Sequence, residues 1–198
     1  MNPDPTDTPG LAFLGKRIQV AFVLADLEPA LKYWTETLKV GPFVVMESAI
    51  DGRTVHYRGQ PTDMDMTLAF AYMGDVQIEF VHPTNDAPSP FKEFLDSGRK
   101  GFHHLAYWPT DFDAACEHLE RNSFTEICSI VTPDGSRNVV YYEPPEFIGS
   151  IVEIVPWTAA RKEYFGRIQR LSASWDGTRP IRRFASRAAF LASGEGAT

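Results

Sequence analysis

The sequence predicts an α+β protein built from two similar modules, each a strand, a helix and then further strands, followed by a helical tail. Three observations predict this fold. Apolar runs of strand length alternate with segments of helical periodicity, the same order of elements occurs twice at a spacing of about 80 residues, and a basic segment follows the second copy. A chain of 198 residues with 43% hydrophobic and 23% charged residues has the composition of a globular protein with a buried core.

The first predicted module spans residues 17–83. Its opening run, Arg17 to Ala25, is apolar and rich in branched side chains, which predicts a buried strand. Asp26 is a candidate helix N-cap, and apolar residues keep helical spacing until Gly41-Pro42 ends the helix. We expect the stretch between Asp51 and Met66 to be a solvated loop with a strand. Further strands are predicted at Phe43–Met46, Met66–Met73 and Val76–Val81.

The second predicted module spans residues 102–157 and follows a polar, proline-bearing linker at residues 84–101. Its opening strand, Phe102 to Trp108, again leads to an aspartate, Asp111, in the N-cap position before a helix with an apolar face. Its remaining strands are predicted at Thr125–Val131, Val139–Glu143 and Ser150–Val155.

Both ends of the chain are predicted to lie outside the modules. Residues 1–16 are expected to be flexible, and Met1 to Gly10 lack the basic and apolar regions of a secretory signal. Residues 158–198 are predicted to form a helical, basic tail with an apolar stripe, and residues 194–198 are expected to be disordered. We expect the tail to pack on its own domain or on a dimer partner. The alternative is a lid over the site, or capture of an anionic substrate by its arginines.

The net charge of −7 is the sum of two opposite parts. Residues 1–160 hold 11 Lys and Arg against 23 Asp and Glu, a net charge of −12, and residues 161–198 hold 8 against 3, a net charge of +5. The acidic body disfavours nucleic acid as a partner. No apolar run reaches the roughly 18 residues that a membrane span needs. Cys116 and Cys128 fit neither a disulfide framework nor a CxxC metal site, so we expect a cytoplasmic protein.

Four polar residues occupy matching places in the two modules. With the copies aligned, Gln19 lies opposite His104 in the first strands, and Glu79 lies opposite Glu153 in the last strands. A carboxylate in an otherwise apolar strand is costly unless it is paired or binds a metal ion. For a single residue, a wet edge strand or a hydrogen-bonded core position is the simpler explanation. Two matched pairs together favour one shared site, and their amide, imidazole and carboxylate groups suit a six-coordinate divalent ion.

With these motifs the chain resembles the vicinal oxygen chelate superfamily, also called glyoxalase/bleomycin-resistance/dioxygenase. The resemblance covers residues 17–157 and is carried by the segments QVAFVLADLEPALKYW, VQIEFVHP, GFHHLAYWPTDFDAA and GSIVEIVP. It implies two βαβββ modules that curl into a cupped mixed sheet around one divalent metal ion (Zn, Ni, Co, Mn, Mg or Fe). The metal ligands that it implies by position are Gln19, Glu79, His104 and Glu153. Strand alternation turns His103 the other way, to pack or to cap.

The resemblance also implies an activity, and two branches of the superfamily compete for it. The ligand set Gln, Glu, His and Glu is similar to that of glyoxalase I, whereas IEFVHP and GFHHLAYW are closer to methylmalonyl-CoA epimerases, which usually have His first and Gln second. Extradiol dioxygenase chemistry is disfavoured because Gln19 replaces a histidine. We therefore expect a divalent-metal-dependent lyase or isomerase of the glyoxalase type. An acyl-CoA epimerase is the first alternative, and a metal-free small-molecule binding or resistance protein is the second.

The implied reaction transfers a proton next to a metal-bound carbonyl, through an enediolate. Glu153 and Glu79 are the predicted catalytic residues, each as ligand and base, and Glu47 is a weaker candidate base. Tyr141 and Tyr142 alternate faces, so one of them is expected to line the site. The expected substrate is a small carbonyl compound or thioester. We predict a homodimer, with no nucleic acid or membrane as a partner.

Overall fold

The computed structural model describes residues 13–147 and 149–197, so the first twelve residues of the predicted flexible N-terminus lie outside the described part of the chain. The protein is α+β, as predicted. The strands are β1 (Lys16–Val23), β2 (Phe43–Met46), β3 (Thr54–Tyr57), β4 (Gln60–Thr62), β5 (Met66–Met73), β6 (Val76–Pro83), β7 (Gly101–Trp108), β8 (Thr125–Val131), β9 (Arg137–Glu143), β10 (Ile151–Ile154) and β11 (Ile181–Phe184). The helices are α1 (Leu27–Glu36), α2 (Pro90–Asp96), α3 (Phe112–Arg121), α4 (Ala159–Ala173) and α5 (Arg187–Ala192). None of these helices is both long enough and apolar enough to cross a membrane.

Two aspartates begin the helices of the modules, as predicted. Asp26 accepts a hydrogen bond from the Glu28 backbone N–H at 3.2 Å ahead of α1, and Asp111 accepts one from the Ala114 N–H at 3.0 Å ahead of α3. Each carboxylate satisfies an N–H group that the first helical turn leaves unpaired, which fixes where the helix starts. Both helices then pack an apolar face on the sheet.

The described strands form one mixed sheet in the order β11-β2-β5-β6-β1-β7-β10-β9-β8-β3-β4. The first strands of the two modules, β1 and β7, pair antiparallel at its centre. The last strand of each module runs parallel to the first strand, β6 beside β1 and β10 beside β7. An approximate twofold axis between β1 and β7 therefore relates the two halves, as expected for a duplicated sequence.

The connection between β2 and β3 requires the sheet to curl. These strands lie eight places apart in the sheet, which corresponds to about 38 Å if the sheet were flat. Residues 47–53 join them, and the chain from Met46 to Thr54 can span at most about 28 Å. The two ends of the sheet must therefore approach each other. The result is a cup whose mouth is crossed by residues 47–53.

Different helices cover the two faces of the sheet. On the outer face, α1 packs on β5 and β6 of the first half, and α3 packs on β9 and β10 of the second half. The inner face packs against α4 and α5 through a core that includes Phe70, Trp108, Phe165, Ile168 and Phe190. Helix α4 therefore lies inside the cup, facing the central strands.

The C-terminal segment, residues 158–197, is not only helical. Its short strand β11 lies between α4 and α5 in the chain and pairs parallel with β2 at the edge of the sheet. The segment IRRF carries no clear strand pattern because it is short and half charged, as edge strands often are. The expected disorder at the end of the chain is wrong for residues 194–197, where Arg170 Nε donates a hydrogen bond to the Gly196 carbonyl at 2.7 Å.

A hairpin extends the opposite edge of the sheet where we expected mainly a loop. Strands β3 and β4 turn at Arg58 and Gly59, which both have positive φ (47° and 77°), and β3 pairs antiparallel with β8 of the second module. A two-residue hairpin turn of this kind needs left-handed geometry at both positions. Arginine is not a typical residue there, so turn chemistry did not predict the hairpin.

Replacing Phe190 by alanine is expected to destabilise the protein by about 3–5 kcal/mol, because loss of a fully buried ring leaves a cavity. The ring packs against Tyr164 of α4 and Phe184 of β11, so it ties the C-terminal segment together. Phe147→Ala is a matched control, since Phe147 is 86% exposed. Urea unfolding of both variants measures the two changes. Wild-type stability of Phe190→Ala would mean that the segment is not part of the folded core.

Candidate metal centre and active-site cavity

The four matched polar residues lie on four adjacent strands at the centre of the sheet. They are Glu79 on β6, Gln19 on β1, His104 on β7 and Glu153 on β10. Ala21 is the register partner of both Glu79 and His104. Ala106 is the register partner of both Gln19 and Glu153. Because register partners share a face of the sheet, the four side chains meet on the inner face, with only small alanines between them.

His104 stands between the two glutamates. Its Nε2 atom lies 2.8 Å from Oε2 of Glu153 and 3.3 Å from Oε2 of Glu79. One ligand atom from each of these three residues lies within 4.8 Å of the others. Gln19 is 2% exposed, and its side-chain amide lowers the pKa of the neighbouring Glu79 carboxylate. The structure therefore brings three of the four predicted ligands together, with the fourth in contact with one of them.

Among residues 13–147 and 149–197, the three ligand atoms have no hydrogen-bond partner, although they lie close together. His104 Nε2 faces both carboxylates without the angles of a hydrogen bond, which suits atoms that converge on a common point. Two buried carboxylates beside one imidazole are costly to hold without a cation. Carboxylate and amide oxygens with an imidazole nitrogen are ligands that divalent ions accept. The residues present therefore fit a divalent metal ion.

Burial and neighbouring charge shift the pKa values of this group. Burial lowers the pKa of His104, but the carboxylates of Glu153 and Glu79 outweigh it and raise that pKa to about 9. Burial raises the pKa of Glu79, and contact with His104 partly offsets the rise. In the metal-free protein the protonated imidazole thus supplies the positive charge between the two carboxylates.

His103 holds the ring of His104 from the side away from the carboxylates. Its Nδ1 atom lies 2.9 Å from Nδ1 of His104, and its ring packs against Phe91 and Phe94 of α2. Burial lowers the pKa of His103 well below its ordinary value, so this ring is neutral and can accept the Nδ1 proton of His104. A hydrogen bond to one imidazole nitrogen fixes which nitrogen is left to face the site. His103 packs as predicted, and it also aims Nε2 of His104 at the glutamates.

A cavity of about 230 Å³ lies between these residues and helix α4. Gln19, Glu79 and Glu153 line it, together with apolar side chains from both halves of the sheet. Its other polar lining residues are Ser48, Asp51, Arg53, Thr132, Asn138, Tyr141, Arg161, Tyr164 and Arg187. The site is therefore a partly open pocket that combines apolar walls with many polar and charged groups, and concave pockets of this kind are common small-molecule sites.

Two tyrosines of the cavity keep their protons. Tyr141 lines the cavity, whereas Tyr142 points to the outer face and donates a hydrogen bond to Glu120 of α3 at 2.9 Å. Burial, with the nearby charges of Glu153 and Glu79, raises the pKa of Tyr141 well above its ordinary range. Burial also raises the pKa of Tyr164. Both phenols are therefore hydrogen-bond donors in the cavity.

Other sequence predictions about the site have mixed outcomes. Glu47 is exposed and does not line the cavity, so it is not placed to act as a base there. Sequence reasoning missed Arg53 and Arg187, which line the cavity from a loop and from the last helix. No local pattern in the sequence marks these arginines, because their place depends on how distant segments pack. Tyr164 was predicted only as part of an apolar helical stripe.

A family model described as the glyoxalase/bleomycin resistance protein/dioxygenase superfamily matches residues 18–141, well over half of the chain. The chain belongs to this superfamily. The resemblance seen in the sequence motifs is thereby confirmed. Strands β1, β6 and β7 of the metal site fall almost entirely within the matched range, whereas β10 and the C-terminal segment lie beyond its end.

Several proteins similar to this superfamily member are named as epimerases. The ethylmalonyl-CoA/methylmalonyl-CoA epimerase of Cereibacter sphaeroides is 26% identical over 144 residues, which are 71% of this chain and 97% of that protein. The structure of methylmalonyl-CoA epimerase from Mycobacterium tuberculosis matches with a TM-score of 0.55 and 18% identity, over 80% of this chain and 98% of that one. A Streptomyces coelicolor methylmalonyl-CoA epimerase in complex with 2-nitronate-propionyl-CoA matches with a TM-score of 0.51 and 16% identity, over 73% and 95%. The structural matches show a shared fold.

The stability of the metal-free protein is expected to fall as pH rises. The folded pKa of His104, about 9, lies above the ordinary value of 6.5, so its contribution is complete below pH 6.5 and is lost as pH rises through about 9. The loss should amount to about 3 kcal/mol. Urea unfolding of chelator-treated protein across this pH range measures it.

Two histidine variants make this pH experiment specific. His104→Gln should remove the dependence, whereas His56→Gln, a substitution on strand β3 away from the site, should keep it. If the wild type and His104→Gln share the same pH profile, the imidazole does not pair with the glutamates in solution.

Proposed function

We propose that the protein is a divalent-metal-dependent isomerase that moves a proton on the carbon next to a carbonyl, and that it epimerises a 2-substituted acyl-CoA thioester. One observation carries the proposal: ligand atoms of Glu79, His104 and Glu153 that lack hydrogen-bond partners in the described part of the chain converge beside a cavity. Membership of the superfamily and the similarity to a protein named as an acyl-CoA epimerase support the choice of reaction.

The ion would be held by Glu79, His104 and Glu153, with Gln19 placed to complete the set through its side-chain oxygen. A divalent cation bound there supplies Lewis acidity that polarises a carbonyl oxygen and makes the neighbouring C–H more acidic. The oxygen-rich ligand set suits Mg or Mn and, through its imidazole, also Zn, Ni, Co or Fe.

The chain supplies the groups that move and hold protons. Glu79 and Glu153 each have two carboxylate oxygens, so one oxygen can bind the ion while the other takes a proton from carbon. Burial raises the pKa of Glu79, which brings its basicity closer to neutral pH. Tyr141, the register partner of Glu153, keeps its proton and can donate a hydrogen bond to a substrate oxygen.

The symmetry of the site suits epimerisation in particular. Inverting a carbon requires that a proton leave one face and another arrive on the opposite face. Glu79 on β6 and Glu153 on β10 flank the central pair of strands and contact His104 from two sides. The approximate twofold axis supports this choice, because a carbon held between the two carboxylates would have one of them on each side.

A glyoxalase-type reaction is the second candidate, because the residue set Gln19, Glu79, His104 and Glu153 is similar to that of glyoxalase I. It uses the same proton transfer, but returns the proton to the neighbouring carbon. A metal-free binding protein is the weakest candidate, because it would have to hold two buried carboxylates without a cation.

Protein purified without chelator is expected to contain about one divalent ion per chain. Glu153→Ala and Glu79→Ala should each lose most of that metal, since each removes a charged ligand atom. Glu117→Ala is the matched control, because Glu117 is exposed and pairs with Arg121 on the surface of α3. Elemental analysis by mass spectrometry gives the stoichiometry. Wild-type protein that binds no metal would support the metal-free binding protein instead.

Incubation of the metal-loaded protein in D₂O with racemic methylmalonyl-CoA should exchange the α-proton for deuterium. Glu153→Gln and Glu79→Gln should slow this exchange by about 10²–10⁴-fold, since each removes a base. Proton NMR of the thioester measures the rate, with Glu117→Gln as the control.

A parallel assay uses the glutathione hemithioacetal of methylglyoxal. Turnover of that compound without thioester exchange would favour the glyoxalase reaction, and no reaction with either would contradict both.

A further inference from the structure

Three arginines line the same cavity as the two glutamates. Arg53 belongs to the connection that crosses the mouth of the cup, whereas Arg161 and Arg187 belong to helices α4 and α5. Two of the three therefore come from the C-terminal segment, beyond residue 141 where the superfamily match ends. Arg161 is almost completely buried, with 6% of its surface exposed.

These guanidinium groups are held in place by neutral acceptors. The acceptors are backbone or amide oxygens, of Ala49 and Ile50 for Arg53, of Pro156 and Asn138 for Arg161, and of Ala160 for Arg187. In the described part of the chain, Nη1 of Arg53 has no hydrogen-bond partner, and neither Nε nor Nη1 of Arg187 has one. The cavity thus contains fixed cations with N–H donors still available.

The other arginines of the C-terminal segment all form ion pairs. Outside the cavity each one pairs with a glutamate: Arg167 and Arg170 with Glu163, Arg179 and Arg182 with Glu195, and Arg183 with Glu28. Arg53, Arg161 and Arg187 form no ion pair with any residue in 13–147 or 149–197. The five outward arginines therefore share three glutamates, whereas Arg161 and Arg187 of the same segment have no ion-pair partner in the described part of the chain.

The acids of the cavity do not compensate for these three cations. Glu79 and Glu153 face His104, and a bound divalent ion would take up their charge. Asp51 also lines the cavity, but it is exposed and forms no ion pair with any residue of 13–147 or 149–197. Burial lowers the pKa values of Arg53 and Arg161, and the neighbouring Arg187 adds to this effect. Asp51 offsets the fall only in part at Arg53, and Glu153 offsets it only in part at Arg161.

We propose that Arg53, Arg161 and Arg187 form a subsite for a carboxylate group of the substrate. Planar guanidinium groups match carboxylates in charge and in hydrogen-bond geometry. The substrate would then be fixed at two points, its carboxylate at the arginines and its carbonyl beside the glutamates; the second point rests on the proposed function. A cavity of about 230 Å³ suits an acyl-sized group. That group is either the acyl part of a thioester or a small free acid.

Matched ligand pairs test this subsite and identify the source of the carboxylate. Methylmalonate and isobutyrate differ only by a carboxylate in place of a methyl group, and methylmalonyl-CoA and isobutyryl-CoA differ in the same way. Binding to the metal-loaded protein is measured by calorimetry. In at least one pair, the wild type should bind the compound that carries the additional carboxylate at least about tenfold more tightly than the compound that lacks it. Arg187→Gln and Arg53→Gln should reduce that preference to about threefold or less.

Two further variants separate recognition from folding. Arg183→Gln is the matched control and should keep the full preference, because Arg183 lies outside the cavity and pairs with Glu28. Arg187→Lys retains the positive charge but lacks the planar guanidinium group, so this variant should keep part of the preference for the additional carboxylate. Circular dichroism checks that each variant is folded.

The outcomes also distinguish this proposal from the proposed function. The subsite is supported if the wild type prefers the ligand with the additional carboxylate, in the free-acid pair or in the thioester pair, and if Arg187→Gln or Arg53→Gln loses that preference. The pair that shows the preference identifies the source of the carboxylate. If the wild type shows no preference in either pair, or if both Gln variants keep the preference, the subsite is overturned, even if α-proton exchange is intact. An arginine-dependent preference without exchange keeps the subsite and rejects the proposed reaction.

Discussion

The molecule depends on one constraint: two carboxylates and an imidazole are buried side by side where the two halves of the sheet meet. Glu79, His104 and Glu153 are each at most 5% exposed, so their charged groups are largely removed from bulk water. Only neighbours at the centre of the sheet can satisfy such a group. The pairing of β1 with β7, the alanines between the ligands and the ring of His103 all serve to hold these side chains together. The need to hold these charged groups together therefore constrains the cup as much as its apolar core does.

This centre could be predicted from the sequence because it follows from periodicity. Strand alternation places Glu79 on the opposite face from its apolar neighbours, and the duplication relates it to Glu153. The N-caps at Asp26 and Asp111 also follow from local chemistry. By contrast, strand β11 and the β3-β4 hairpin depend on the partner strands they find, β2 and β8, and a short charged segment does not indicate a partner.

The positions of the arginines in the basic tail also could not be predicted from the sequence. Its net positive charge is plain in the sequence, but a count cannot tell which arginine meets a glutamate and which enters the cup. The apolar stripe through Tyr164 and Ile168 sets the rotation of α4, and that rotation directs Arg161 inward and Arg167 toward Glu163. Under the two proposals, a segment outside the superfamily match would add charge recognition to a site whose glutamates lie on β6, within the match, and on β10, beyond its end.

The short connection over residues 47–53 has a mechanical consequence. It joins β2 near one edge of the sheet to β3 near the other, so it acts as a tether that resists flattening of the cup. Strand β11 adds to one of the tethered edges, through its pairing with β2. With the sheet held closed, the inner face lies under α4 and α5, and β11 between them fixes this cover to the tethered edge. The geometry of Glu79, His104 and Glu153 therefore belongs to the tethered sheet, and the cover over the cavity belongs to the C-terminal segment.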